Sequence, residues 1–246
     1  MRQRLDSLLV ALGLFESRRR AQTAIAAGSV SVNGQTALSP DKKFEETDKI
    51  EISGPACPYV SRGGLKLKSG LDSFKVSPAG KLCMDLGAAT GGFTDCFLQE
   101  GADAVYAIDV GQGQLHESLL KNPKVIFMPD TNARYLNPSA FKNKPQVCAI
   151  DVSFISLKMV LPAVSGCLEN KADIIALIKP QFELSRRELV RGIVKDPALH
   201  EKVKQELQSF LKTELPTAKD LGIIPSPIEG AHGNTEFLWH IRTASA

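Results

Sequence analysis

Lys81-Leu82-Cys83-Met84-Asp85-Leu86-Gly87-Ala88-Ala89-Thr90-Gly91-Gly92-Phe93-Thr94 is the run that decides the architecture. An apolar strand over 82–86 ends at an acidic residue, Asp85, and a loop of glycines and alanines then opens a helical pattern over about 92–100. Small residues let a ligand approach the backbone closely, and a helix N-terminus offers free N–H groups to an anion. The same alternation continues outward. Strand-like runs fall at 82–86, 104–109, 124–128, 147–151, 173–178, 221–225 and 236–241, with helical patterns near 63–74, 92–100, 156–167 and 197–213. Seven strands with interleaved helices predict a doubly wound α/β sheet.

Upstream the style changes. Leu5, Leu8, Leu9 and Leu12 recur at helical spacing and predict an inward-facing helix that stops at Gly13. Ser17 is a good N-cap for a second helix that turns Ala21, Ala24, Ile25 and Ala27 inward, with Gly28 as its C-cap. Val30-Ser31-Val32 alternates, Asn33-Gly34 signals a hairpin turn, and 49–52 closes the unit as another strand. The expected division is a small domain over 1–52, a turn-rich linker over 53–62 and the α/β domain over 63–246. Pro58, within Cys57-Pro58-Tyr59-Val60, stiffens the junction.

Composition bounds the rest. With 246 residues, 43% of them hydrophobic and 23% charged, the chain is globular and can bury a core without staples. A net charge of +3 means that any nucleic-acid surface is local. The five cysteines (57, 83, 96, 148, 167) form no Cys-x-x-Cys pair, so reduced thiols and a cytoplasmic location are expected. The four histidines (116, 200, 232, 240) have no metal-ligand spacing, so no metal is expected. No apolar stretch approaches the roughly 18–20 residues of a membrane span.

The glycine loop has two obvious rivals. Gly87-x-x-x-Gly91-Gly92 fits neither the Gly-x-Gly-x-x-Gly dinucleotide fingerprint nor the phosphate-binding loop, where Phe93 would have to be Lys. The string Asp-Leu-Gly-Ala-x-x-Gly-Gly-Phe instead resembles the S-adenosylmethionine loop of class I methyltransferases, in particular the FtsJ-like ones. The resemblance implies cofactor contacts from Asp85, Gly87, Ala88, Thr90, Gly91, Gly92 and Phe93. It extends to Asp109 and Val110, 18 and 19 residues beyond Gly91 and near the usual offset of a ribose-binding carboxylate, and to Asp130, Thr131 and Asn132 after the third strand.

Lys66, Asp151, Lys179 and Glu236 fall at strand ends or helix starts of the same sheet, where ligands of open α/β sheets bind. In that order they resemble the tetrad of ribose 2′-O-methyltransferases. The flanking strings Ser-Arg-Gly-Gly-Leu-Lys-Leu (61–67), Asp-Val-Gly-Gln-Gly-Gln-Leu (109–115), Asp-Val-Ser-Phe-Ile-Ser-Leu (151–157), Lys-Pro-Gln-Phe-Glu (179–183) and Gly-Asn-Thr-Glu-Phe (233–237) are similar to those of the TlyA family, also called hemolysin A. That family joins an S-four RNA-binding domain to an FtsJ-like methyltransferase. The residues quoted above for 2–34 resemble its S-four domain. The resemblance implies an α/β fold of the Rossmann-like class I methyltransferase type with a small N-terminal α+β domain. It also implies S-adenosylmethionine as cofactor, and ribosomal RNA or ribosomal subunits as partner, with a cytidine ribose as target.

Lys179 is the candidate general base, for which burial and the Lys66 charge favour loss of its proton while Asp151 and Glu236 favour keeping it. The alternative is that Lys179 stabilises the developing alkoxide. Asp151 would orient Lys179 and the hydroxyl, and Lys66 and Glu236 the ribose. Base N-methylation usually accompanies an Asn/Asp-Pro-Pro-Tyr/Phe string, absent from Asp151-Val152-Ser153-Phe154, and Cys148 reads as a core residue rather than a nucleophile.

Arg2, Arg4, Arg18, Arg19 and Arg20 face only Asp6 and Glu16 within 2–20. Cations in the first turn oppose the helix dipole, so an anionic partner or a solvated charged face must explain them. With Arg62 they are the candidate RNA-binding residues. The charged segment after Glu183, with Arg186, Arg187, Glu188 and Arg191, is either a lid near the substrate or a surface loop. A monomer or weak homodimer is expected. Two other classes compete with the enzyme: an RNA-binding assembly factor without turnover, and the membrane-active hemolysin of the old family name, for which no membrane-active segment exists.

Overall fold

The computed structural model describes residues 2–26, 28–37, 39–52, 57–112, 114–230 and 233–244. Ala27, expected on the inward face of the second helix, residues 53–56 of the linker, Gly113 and His232 lie outside the described residues. The chain divides into two compact units, Met1–Arg62 and Gly63–Ala246.

The first unit contains β1 (Gln3–Arg4), α1 (Leu5–Ala11), α2 (Arg18–Ala26), β2 (Val30–Val32), β3 (Gln35–Thr36), β4 (Lys43–Phe44) and β5 (Ile50–Ile52). Ser17 caps α2, its hydroxyl accepting from the Arg20 N–H at 3.3 Å. Asn33 and Gly34 both have positive φ (54° and 78°), the primed turn that matches strand twist, and β2 pairs antiparallel with β3 and β5. Leu5, Leu9, Ala21, Ala24, Ile25, Val30 and Val32 form the core. Leu12 departs from expectation. The helix ends at Ala11, so Leu12 becomes its C-cap, falls off the inward stripe and is 41% exposed. The β1–β4 ladder was not legible, because two-residue strands carry no period.

The second unit contains α3 (Gly63–Phe74), β6 (Leu82–Leu86), α4 (Gly92–Gln99), β7 (Ala104–Ile108), α5 (Glu117–Leu120), β8 (Val125–Met128), β9 (Val147–Ile150), α6 (Leu161–Cys167), β10 (Asp173–Ile178), α7 (Pro180–Glu183), α8 (Pro197–Glu214), β11 (Lys219–Pro225) and β12 (Phe237–Arg242). The expected seven-stranded sheet forms, in the order β11-β12-β10-β9-β6-β7-β8. Neighbours are parallel except β12, which runs antiparallel to both β10 and β11. All six residues of β10 are buried, and after Asp173 they form the unbroken apolar run of a strand covered on both faces. Trp239 of β12 is fully buried and donates its indole N–H to Asp220 at 3.0 Å.

The helix expected over 156–167 is two pieces, a 3-10 turn at Leu157–Met159 and then α6. Pro162 has no N–H to donate, which costs nothing in the first turn of a helix and breaks one in mid-helix, so α6 starts with Pro162 in its first turn. The direction of chain growth reverses between β6 and β9, and the crevice at that switch point lies beyond the carboxyl ends of the strands.

Candidate active site

The loop after β6 is shaped by its neighbour strand. Gly87 has φ +87°, and a Cβ there would lie 2.4 Å from the Asp151 carbonyl oxygen, so only glycine lets the loop pass the end of β9. The Gly87 and Ala88 N–H groups both donate to the Ile108 carbonyl, at 2.9 and 3.0 Å. Beneath the loop Asp85 is fully buried. One carboxylate oxygen accepts from the Thr94 N–H (2.8 Å) and hydroxyl (2.6 Å), fastening α4 to β6. The other oxygen has no hydrogen-bond partner among the described residues. Burial pushes this carboxyl up to about 7; the Thr94 hydrogen bonds oppose the rise and the Asp151 charge adds to it.

A cavity of about 500 Å³ opens over the loop, within the usual range for ligand sites. Gly87, Asp109, Val110, Thr131 and Asn132, expected at the cofactor, line it, and so does Asp151. The Asp109 carboxylate is fixed by two backbone donors, Ala89 and Gly111, each at 2.7 Å. Such a carboxylate retains lone pairs for vicinal hydroxyls. The cavity therefore has the size, the small-residue floor and the acidic acceptor that a ribonucleoside cofactor needs. Asp85, Ala88, Thr90, Gly91, Gly92, Phe93 and Asp130 are not among its lining residues. They build the turn or its rim; Asp130 accepts from the Gln112 side chain at 2.7 Å. Ile108, Gln114, Val152, Ser153 and Phe154 also line the cavity; all but Ile108 fall in the strings quoted above, yet none was assigned a role there. Four of them have apolar or amide side chains, which carry little chemical signal, and Ser153 has a lone hydroxyl.

The tetrad assembles as two ion pairs. Lys179 Nζ lies 2.6 Å from Asp151 Oδ1 and donates to Ser153 Oγ at 2.9 Å. Lys66 of α3 pairs with Glu236, both side chains nearly buried. Sheet register brings the pairs to one edge. Ile178 is opposite Phe237, so Lys179 and Glu236 follow on adjacent strands, and Asp151 N–H donates to Leu86 O at 2.8 Å beside the glycine loop. Cys148, by contrast, is fully buried within β9, and its thiol is pushed well above its ordinary value by that burial. It is an inert core residue.

Phe154 stands out at the cavity. It is 90% exposed, has φ +64° and meets the Phe182 ring at a centroid distance of 5.0 Å. A bulky residue held in left-handed geometry with its ring in water is a strained arrangement of the sort found at functional sites. The loop that carries it is anchored by the mostly buried Glu183, which accepts from Ser156 Oγ and, at 2.8 Å, from the Leu157 N–H.

In the N-terminal unit, Arg4 and Arg18 each reach the buried Asp6 at 3.0 Å, with Gln22 at 2.6 Å on the same carboxylate. Arg20 pairs with Glu16 at 2.6 Å. Arg2 and Arg19 are exposed, and Arg62 is partly buried. Two of the six candidate RNA-binding arginines therefore also hold a buried carboxylate, which reconciles their helix-start position with packing.

A sheet of this order, with an antiparallel strand inserted second from its edge and a glycine loop beside a fixed carboxylate, defines a class I methyltransferase fold. Residues 59–243 match the FtsJ-like methyltransferase family and residues 3–50 the S4 domain, so the chain belongs to the FtsJ-like methyltransferases that carry an S4 domain. It is 39% identical, over 98% of its length and 90% of the relative's, to the 16S/23S rRNA (cytidine-2'-O)-methyltransferase TlyA of Mycobacterium tuberculosis. It is 44% identical, over 98% and 85%, to a Bacillus subtilis protein provisionally labelled an rRNA methyltransferase, YqxC. A solved Streptococcus thermophilus structure with a provisional hemolysin label superposes with a TM-score of 0.78 at 40% identity, over 100% of this chain and 90% of that one. Among the described residues no helix is long and apolar enough to cross a membrane.

Proposed function

We propose that this chain is an S-adenosylmethionine-dependent methyltransferase that methylates a ribose 2′-hydroxyl, on a cytidine of ribosomal RNA. The observation that carries the reading is the Lys179–Asp151 pair at the wall of the cavity, with Lys66–Glu236 next to it in register. When bound, S-adenosylmethionine supplies a methyl group on a positively charged sulfur. Asp109 holds the cofactor's ribose hydroxyls, and Thr131 and Asn132 flank its base. Lys179, oriented by Asp151 and Ser153, donates to the 2′-oxygen and holds it in line while a water molecule takes the hydroxyl proton, which stabilises negative charge as it develops. Lys66 and Glu236, buried against each other, brace the ribose side of the site. Phe154 offers its exposed ring as a stacking face for the base of the target nucleotide.

The S4 unit supplies RNA affinity, with Arg2, Arg4, Arg18, Arg19, Arg20 and Arg62 as its phosphate contacts. A monomer or weak homodimer acting in the cytoplasm, where ribosomal subunits are found, fits this reading. The test is transfer of labelled methyl to purified ribosomal subunits followed by alkaline hydrolysis. A 2′-O-methyl group blocks strand cleavage, so the label is expected in an alkali-resistant dinucleotide. Label in alkali-sensitive mononucleotides would mean base methylation and would overturn the reading.

A further inference from the structure

Segment 185–195 follows α7 and leads into α8. It carries Arg186, Arg187, Arg191 and Lys195, all exposed, and none makes an ion pair among the described residues. Its one acid, Glu188, is already matched, by Lys202 at 2.7 Å and by the Ser185 N–H and hydroxyl. The segment is nonetheless fixed. Val190 and Ile193 bridge each other, and Arg191 (φ 54°) and Gly192 (φ 80°) form the tight turn between them. Asn234, 3% exposed, accepts from the Val194 N–H and donates to the Gly192 carbonyl, both at 3.2 Å. His200 of α8 makes a further hydrogen bond to the Val194 carbonyl at 3.2 Å.

In sequence the segment lies close to the tetrad: it begins six residues after Lys179, and its anchor Asn234 lies two residues before Glu236. An arginine in left-handed geometry at a turn tip is a poor choice for stability alone, and four unmatched cations on one short segment repel one another. A phosphate backbone resolves both features, since guanidinium forks grip phosphate oxygens directly.

We propose that segment 185–195 is a rigid basic tongue with which the methyltransferase unit grips RNA phosphates flanking the target nucleotide, apart from any grip by the S4 unit. The proposal rests on the RNA-methyltransferase reading. The experiment measures binding of the full-length protein to ribosomal subunits across a salt series. It uses wild type, the triple variant Arg186→Gln/Arg187→Gln/Arg191→Gln, and the charge-keeping variant Arg186→Lys/Arg187→Lys/Arg191→Lys.

Each lost phosphate contact lowers the slope of log affinity against log salt by about 0.7–0.9. The Gln variant is expected to lose about 2 from the slope and about tenfold or more in affinity near physiological salt. Its S-adenosylmethionine affinity should be unchanged and its turnover at saturating RNA within about twofold. The Lys variant is expected to restore most of the slope. An unchanged slope in the Gln variant overturns the tongue, as does an affinity loss without a slope change, which would mark a structural defect. Because the slope is read from binding, wild type that binds RNA without yielding alkali-resistant product would overturn the ribose-methylation reading while leaving the tongue tested on its own.

Discussion

Asp6 and Asp85 are both fully buried carboxylates, one in each unit, and their surroundings are opposite. Asp6 meets Arg4, Arg18 and Gln22, and the hydrogen bond from Arg4 above all holds its carboxyl well below the usual carboxylate range. Among the described residues Asp85 accepts hydrogen bonds from Thr94 alone and keeps one oxygen without a partner, and burial pushes it up to about 7, with the Asp151 charge adding to the rise. A saturated buried charge is packing; an unsaturated one lies where the fold gives up stability to build a site. In the N-terminal unit the arginines were the loud signal, and part of their work is to saturate Asp6. In the methyltransferase unit the loud signal was glycine, and it sits over the carboxylate that is left short.

The largest effect should come from leaving a second carboxylate short. Lys179→Ala removes the cation from Asp151 and the donor from the proposed 2′-oxygen position. Methyl transfer to ribosomal RNA is expected to fall by at least about 10³-fold, roughly 4 kcal/mol of barrier. S-adenosylmethionine affinity measured by calorimetry should stay within a few-fold. Lys179→Arg separates the two roles open from sequence. Arginine keeps a donor but cannot accept a proton, so residual turnover well above that of the alanine variant marks electrostatic support, and equal loss marks a general base.

Asp85 sharpens the contrast through pH. Its folded-state value of about 7 lies above the unfolded value near 3.9, so its contribution to stability is fully present below pH ~4 and is lost as pH rises through about 7. The full shift corresponds to roughly 4 kcal/mol. Asp85→Asn, which stays neutral, should flatten that loss. The expected outcome is a melting temperature for the methyltransferase transition that falls from pH 5 to pH 8 in wild type and changes much less in the variant. A parallel fall in both would remove the unsaturated-charge account.

Asp6 has the reverse sign. Its depressed value means its contribution is present above pH ~4 and is lost as pH falls below that. Asp6→Ala should destabilise the N-terminal unit by about 2–3 kcal/mol, because the hydrogen bonds of a buried charge are lost while the half-exposed arginines regain water. Urea unfolding followed by hydrogen exchange is expected to show the early transition move and the methyltransferase transition stay. Movement of both would mean that Asp6 supports more than its own unit.

Much of this was legible from residue types at fixed spacing. The strand–glycine–helix run and the alternation around it predicted the doubly wound sheet, and the four tetrad residues each sit at the end or start of a regular element, but it was the resemblance to ribose methyltransferases that picked those four. What was not legible depends on contacts between distant segments. Nothing in the composition around Asp6 says that Arg4 and Arg18 turn back onto it, and nothing near Asn234 says that its amide ties down Gly192 and Val194. The cavity walls at Ile108, Gln114 and 152–154 were assigned no role, although all but Ile108 fall in the quoted strings, because shape is made by backbone path, to which residue type gives little clue.

Phe154 gives the smallest effect and the finest test, because the same logic extends from charge to backbone. Its left-handed φ costs stability that its ring, 90% in water, does not return through packing. Asparagine tolerates that geometry without the flexibility of glycine. Phe154→Asn should therefore hold stability or raise it by about 0.5–1 kcal/mol, despite losing the contact with Phe182. The same variant should lower kcat/KM for ribosomal RNA by about tenfold, the value of one base–aromatic stack, with S-adenosylmethionine affinity unchanged. Thermal melts and steady-state kinetics on one preparation read both quantities. A variant that is less stable and fully active would make Phe154 a packing residue like Asp6, whereas one that is at least as stable and slower places it with Asp85, among the positions where this fold gives up stability for its reaction.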